Sequence, residues 1–190
     1  LQYIYKLDQR LKLPIIYVSH SITETFSLAK RINFIEKGKV VFSGNKEKSL
    51  LFYNKGQKIY SEASYIQGKV LKIIKLSGLT EIEIGKSKLT IFSDAFKKGS
   101  TVIVKINSSD IIISKVKPNG LSSLNFLRVQ VYSININDKL VSLLLKYEKN
   151  ILKAHITKKS FQKLRLKPGK ICYALVKAVN INDITNVSLL

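Results

Sequence analysis

The sequence predicts a mainly β protein: two small barrels over residues 56–120 and 121–190, preceded by an α/β segment over residues 1–55. Three observations predict it. Beyond Glu62 the chain falls into short alternating apolar and polar runs parted by Gly, Asn, Asp and Ser, the texture of strands. Two parts of that region can be laid over each other. Gly68-Lys69-Val70 answers Leu127-Arg128-Val129, Lys97-Lys98-Gly99-Ser100-Thr101-Val102 answers Leu166-Lys167-Pro168-Gly169-Lys170-Ile171, and Val104-Lys105-Ile106-Asn107-Ser108 answers Leu175-Val176-Lys177-Ala178. Internal duplication of this kind means a repeated structural unit. The first 55 residues read differently, as helix, apolar run, helix and hairpin.

Taken in order, Leu1 to Leu13 carries Ile4, Leu7 and Leu11 at helical spacing, and Pro14 ends the pattern. Ile15-Ile16-Tyr17-Val18 is the continuous apolar run expected of a strand buried on both faces of a parallel sheet, with Ser19 and His20 at its carboxyl end. Ser21 is an N-cap with Glu24 at capping-box spacing, and the helix it opens runs through Phe26, Leu28 and Ala29. Ile32 to Ile35 reads as a strand, Glu36-Lys37-Gly38-Lys39 as a hairpin turn and Val40 to Phe42 as the returning strand. Asn45 caps a further helix beginning at Lys46. Gly56 to Glu62 is polar and reads as a linker.

The strands of the first barrel are expected at 63–76, 79–84, 88–93, 101–106 and 111–116, followed by the turn Lys117-Pro118-Asn119-Gly120. Those of the second are expected at 126–136, 140–147, 151–156, 171–179 and 185–189. Five strands per unit at this spacing suggest barrels like the oligonucleotide/oligosaccharide-binding (OB) fold. Residues 154–179 read as two strands joined by a short helical or turn segment, with Lys167-Pro168-Gly169 as a strong turn signal. Ile171, Tyr173, Leu175 and Lys177 share one face of the last of these strands, and Cys172, Ala174, Val176 and Ala178 the other. Lys177 is thus an isolated charge at the end of a half-buried strand. His155 alternates outward and reads as a surface residue with no role.

No uninterrupted apolar run reaches the roughly 18–20 residues of a membrane span. A start at Leu1, with no charged region and apolar core behind it, reads as a fragment or processed chain without a signal peptide. The lone cysteine, Cys172, excludes an internal disulfide, fits a reducing compartment and reads as a core filler. The net charge of +21 admits nucleic acid, an acidic membrane face or an anionic ligand as partner. It also admits compositional drift over a solvated surface. Of the 33 basic residues only Arg10, Arg31, Arg128 and Arg165 are arginines, and the lysines are spread along the chain, whereas bidentate recognition of phosphate and bases favours Arg.

The first segment resembles the tail of an ABC-transporter ATPase domain. The resemblance rests on Tyr17-Val18-Ser19-His20-Ser21-Ile22-Thr23-Glu24, on Leu28-Ala29-Lys30-Arg31-Ile32, and on Glu36-Lys37-Gly38-Lys39-Val40-Val41 running to Ser43-Gly44. It implies that His20 is the switch histidine that contacts the terminal phosphate of ATP. Lys30 and Thr25 depart from the family's usual Asp and Ala. The chain has no G-x-x-x-x-G-K-[ST] and no apolar run ending in Asp-Glu. Both lie upstream of the switch histidine in that family, so the chain reads as the C-terminal piece of a longer subunit. ATP and Mg belong to that parent, and this chain is not expected to hydrolyse ATP alone.

The second barrel resembles the Mop repeat of molybdate-binding proteins. It carries Ile156-Thr157-x-x-Ser160, Pro168-Gly169 and Ala174-Leu175-Val176-Lys177-Ala178 running to Ile181 in the family's order. Upstream, Leu121-Ser122-Ser123-Leu124-Asn125-Phe126-Leu127 is similar to the family's T-S-x-R-N-x-L, with Leu121 in place of Thr and Leu124 in place of Arg. An ATPase segment followed by paired Mop repeats is the organisation of the molybdate-importer ATPase family, and Ile106-Asn107-Ser108-Ser109-Asp110-Ile111 matches its string between repeats. Molybdate is a tetrahedral dianion, suited by inward hydroxyls, backbone N–H groups and about one positive charge. The resemblance implies hydroxyls from Ser122, Thr157 and Ser160, the ammonium of Lys177, and backbone N–H groups of Ser123, Leu124 and Ala178. The other reading makes the three hydroxyls turn and cap groups, with Lys177 in solvent.

It further implies molybdate or tungstate as ligand, no metal site, a membrane permease subunit as partner, and a pocket completed across an interface by a second copy. The location implied is cytoplasmic, peripheral on the inner face of the membrane. The alternatives are a basic nucleic-acid-binding module, stacking bases on Tyr132 and Tyr147, and a regulatory barrel of a sulfate- or sugar-type importer.

Overall fold

The computed structural model describes residues 14–56, 62–138, 140–181 and 184–186. The helix expected over residues 1–13 lies outside them. The described chain opens with helix α1 (Ile22–Leu28), whose N-cap Ser21 accepts from the Glu24 N–H through its Oγ. The capping box is one-sided. The Glu24 carboxylate turns away and accepts from the Tyr17 hydroxyl at 2.8 Å and the Ser19 hydroxyl at 2.9 Å, and these bonds hold it below the usual carboxylate range.

Strands β1 (Arg31–Glu36) and β2 (Lys39–Asn45) form the expected antiparallel hairpin. Asn45 then caps α2 (Lys46–Lys55), accepting from the Lys48 N–H at 3.0 Å.

Ile15 to Val18 is not a strand. Ile16 is 93% and Val18 89% exposed. A parallel strand exists only between neighbours that satisfy its backbone, and the two strands of this segment among the described residues pair with each other.

The barrels are built from β3 (Ala63–Ile74), β4 (Leu79–Ile84), β5 (Ser87–Phe92), β6 (Thr101–Asn107), β7 (Ile112–Ser114), β8 (Asn125–Ile136), β9 (Leu140–Tyr147), β10 (Asn150–Thr157), α3 (Lys158–Leu164), β11 (Ile171–Val176) and β12 (Ile184–Asn186). One sheet has the order β12-β6-β3-β4-β5 and the other β7-β11-β8-β9-β10. These are two copies of one OB-like arrangement, and each takes its outer strand from the other repeat. β7 follows β6 in the chain but pairs with β11, and β12 follows β11 but pairs with β6. The strands expected at 111–116 and 185–189 therefore exchange places. A 3-10 turn causes each crossing, Ser108–Asp110 after β6 and Ala178–Asn180 after β11.

The duplication repeats bond for bond. The Val70 N–H donates to the Ser100 carbonyl at 2.9 Å and the Gly99 N–H to the Val70 carbonyl at 2.8 Å. In the second repeat the Val131 N–H donates to Lys170 at 2.9 Å and the Gly169 N–H to Val131 at 2.8 Å. Gly99 and Gly169 both hold positive φ, +85° and +84°, as these turns require. A bulge lies just past each anchor, in β3 between Val70 and Lys72 and in β8 between Val131 and Ser133. Val70 thus matches Val131, two residues beyond the Val129 that the sequence alignment set against it. The difference arises because Gly68, the guide to that alignment, has no glycine counterpart. Gly68 is there for space: a Cβ would collide with Ile82 and lie 2.7 Å from the Glu83 carbonyl.

One apolar core runs through both sheets, from Ile66, Ile82 and Val104 to Leu143, Leu145 and Cys172. The N-terminal segment has its own small core, Phe26, Ile32 and Leu50, which closes on Ile103 of β6. It is pinned by Asn54, only 1% exposed, whose amide donates to the Tyr65 carbonyl at 2.7 Å and accepts from the Tyr65 N–H at 3.0 Å.

Candidate anion-binding site

Where the second repeat leaves β11, its backbone turns against the first. Lys177 is the N-cap of the 3-10 turn Ala178–Asn180, and the segment leading into β8 runs beside it. Between them lies a cavity of about 290 Å³ lined by Leu79, Ser122, Leu124, Lys177, Ala178 and Val179. Lys177 is the only charged residue in that lining. The pocket straddles the two repeats, because Leu79 begins β4 of the first.

Of the seven residues implied for an anion, Ser122, Leu124, Lys177 and Ala178 therefore meet. Ser123 lies beneath them, 8% exposed, its hydroxyl donating to the Val176 carbonyl at 3.0 Å. That bond ties the entry to β8 onto the end of β11 and aims the neighbouring Ser122 and Leu124. Asn125 completes the support, accepting from the Thr90 N–H at 2.7 Å and donating to the carbonyls of Thr90 at 2.8 Å and Val176 at 3.1 Å.

Thr157 and Ser160 stand apart from this lining. Thr157 is the N-cap of α3, its hydroxyl accepting from the Ser160 N–H at 3.1 Å and donating to the Ser160 Oγ at 2.9 Å. This is the capping arrangement of the alternative reading, with the hydroxyl pair at the molecular surface. Leu79 and Val179 are the lining residues the sequence does not disclose. Val179 follows directly from Ala178, but Leu79 reaches the site only through the packing of one repeat on the other.

His20 is exposed, at a bend just ahead of α1 rather than at a strand tip. His155 is not a free surface residue. It is half-buried at the seam between the repeats, with Nδ1 3.1 Å from the Ser108 hydroxyl, and burial and Lys153 hold it below the usual histidine value. Cys172 is fully buried in the core, as expected of a filler, and burial pushes its thiol up. Tyr132 is 52% exposed, but Tyr147 is 1% exposed in the core and offers no face to a base. Among the described residues, no group of three His, Cys, Asp or Glu side chains could hold a metal ion, and no helix is long and apolar enough to cross a membrane.

Comparison with known proteins shows what the chain is similar to. Residues 121–182 match the TOBE domain. The chain is 29% identical over 94% of its length to a molybdenum import ATP-binding protein, ModC, of Rhizobium etli, covering 51% of that protein. It is 31% identical over 96% of its length to the ModC of Mesorhizobium japonicum, covering 50%. The chain thus spans about half the length of the curated relatives it matches, which fits a C-terminal part. Among solved structures it shares the fold of the cytoplasmic molybdate-binding protein ModG, determined with molybdate bound. The TM-score is 0.57 at 20% identity, over 68% of this chain and 99% of that one. The chain is therefore related over nearly its whole length to molybdenum import ATP-binding proteins, and it carries a TOBE domain in its second repeat.

Proposed function

We propose that this chain is the C-terminal regulatory portion of the ATP-binding subunit of a molybdate or tungstate importer, and that it binds the oxyanion in the Lys177 pocket. The observation that carries the reading is the convergence of Ser122, Leu124, Lys177 and Ala178 on one cavity between the repeats. A single ammonium, a hydroxyl and backbone N–H groups suit a tetrahedral anion that has no proton to donate. Thr157 and Ser160 complete the site from a second copy, whose α3 N-terminus covers the open side of the pocket. The subunit works at the inner face of the membrane with a permease, with residues 1–55 as the end of the ATPase domain and His20 as its switch histidine. The two repeats follow over 56–120 and 121–190. Anion binding then acts on transport by favouring one spacing of the paired ATPase domains over another.

Calorimetric titration of the whole chain with molybdate, tungstate and sulfate at fixed ionic strength tests the reading. Saturable binding of molybdate or tungstate that sulfate does not imitate is expected, lost in Lys177→Met. Weak, equal heats from all three anions that vanish with added salt would reduce the charge to a diffuse field. Sedimentation with and without molybdate tests the shared site: Thr157→Ala should weaken both binding and self-association.

A further inference from the structure

The duplication builds two slots, one at each crossing between repeats. The first is the Lys177 pocket. The second lies where β6 leads into the 3-10 turn Ser108–Asp110, which packs on the second repeat. The backbone enters both turns alike: Lys177 has φ −69° and ψ 137°, and Asn107 has φ −70° and ψ 140°. The next residue is buried in each case, Ala178 at 6% exposure and Ser108 at 1%.

The chemistry differs at both of these positions. Where the first slot has an ammonium, the second has Asn107, whose amide donates to the Asp110 carboxylate at 3.0 Å. Where the first has Ala178, the second has Ser108, whose N–H and hydroxyl both donate to the Glu62 carbonyl, at 2.7 and 2.8 Å. A hydroxyl has one proton. With that proton on Glu62, the 3.1 Å contact between Ser108 Oγ and His155 Nδ1 is one in which the imidazole donates. Neutral His155 is therefore the Nδ1–H tautomer, its ring set against the buried Ser108 at the head of this turn. Nearby, the Lys153 N–H donates to the Ser64 hydroxyl at 2.7 Å, binding β10 to β3 across the same seam.

We propose that this second slot is a lock between the repeats rather than a second anion site, so that the chain takes one oxyanion, at Lys177. The part about the anion rests on the function proposed above; the lock does not. Among the described residues the charged groups that act on His155 are Lys153 on its own strand and Glu62 ahead of β3, while Asp110 on the packed turn accepts from Asn107. An anion entering the slot would favour the imidazolium and raise the titration midpoint of His155.

The chain has two histidines, so nitrogen-15 NMR of histidine-labelled protein, assigned with His155→Gln, reads the lock directly. His155 should show the Nδ1–H form and a midpoint below the ordinary value of about 6.5. Neither should change at saturating molybdate or tungstate, and Ser108→Ala should move both toward those of a free histidine. An Nε2–H form, or a midpoint that rises with added oxyanion, would overturn the proposal. Calorimetry supplies the count: one anion per chain, and none in Lys177→Met. Two per chain, or a saturable site surviving in Lys177→Met, would also overturn it. If the wild type binds neither anion, the proposed function fails, and the lock still stands or falls on the His155 tautomer.

Discussion

In the first repeat the residue leading out of β6 is Asn107, tied to Asp110 in its own turn. In the second, the residue leading out of β11 is Lys177, with no side-chain partner among the described residues, facing the cavity. The backbone enters the two turns alike, within a few degrees at Asn107 and Lys177, and the bonds that anchor the repeats at Val70 and Val131 have the same lengths. That frame is made by backbone donors and acceptors and by glycines in left-handed turns, so side chains can change without moving it. The slot is made by side chains, so its chemistry can be lost, gained or turned inward while the fold persists. A ligand site in one repeat therefore does not imply a site in the other.

The largest effect should come from the clamp beside the Lys177 slot. Asn125→Ala removes the amide from the Thr90 N–H and carbonyl and leaves the Val176 carbonyl only the Ser123 hydroxyl, in a place only 2% exposed, at a cost of about 3 kcal/mol. A drop in the urea midpoint with an unchanged slope would show it. A cost under about 1 kcal/mol would mean that water replaces the amide. Gly68→Ala should follow, at about 2 kcal/mol, because the methyl group meets Ile82 and the Glu83 carbonyl in a filled core. At the matching position in the second repeat, Val129 already carries a buried side chain, so the test reports whether the first barrel is the tighter of the two.

Much of this was legible in the sequence because the signals are local. Ser21 and Asn45 cap their helices, Lys37-Gly38 turns the first hairpin, and Gly169 turns the chain into β11. What escaped depends on how elements meet. The alternation of 111–116 announces a strand but not its neighbour, so its pairing with β11 rather than within its own repeat was hidden. His155 does point away from the core of its own sheet, as its position predicts, but the first repeat lies over that face. Lys153 is 5% exposed there for the same reason, its ammonium 3.4 Å from the Gly56 carbonyl at the end of α2. Thr157 and Ser160 show the converse. Their spacing identified them as a pair, and the structure joins them to each other rather than to Ser122 and Lys177. Leu79 gives no local signal, because only the packing of β4 against the second repeat brings it to the pocket.

Smaller effects should come from the other seam. Ser64→Ala leaves one backbone N–H of Lys153 unpaired, about 1 kcal/mol and well below Asn125→Ala. Equal losses would mean that the two seams carry the same load despite their different chemistry. His155 adds a dependence on pH. Burial and Lys153 lower its folded value, and Glu62 opposes them. As pH falls the unfolded chain takes up this proton first, so stability from neutral His155 is whole above about pH 6.5 and is lost as pH falls toward the depressed folded value. The urea midpoint should therefore fall between about pH 7 and 5, and fall less in His155→Gln.

The smallest effects, and the sharpest contrast, belong to exchanging the two slot residues. Lys177→Asn removes an exposed side chain with no partner among the described residues, so stability should stay within about 0.5 kcal/mol of wild type. Asn107→Lys removes the bond to Asp110 but sets an ammonium beside that carboxylate, and the two changes should nearly cancel, leaving a loss below about 1 kcal/mol. Binding should respond quite differently. The first exchange should abolish oxyanion binding, whereas the second should create none, because Ser108 and His155 still bond to each other there. If Asn107→Lys alone yields a second saturable site, then charge rather than that bond decides which repeat binds, and the two slots differ by one residue instead of by a network.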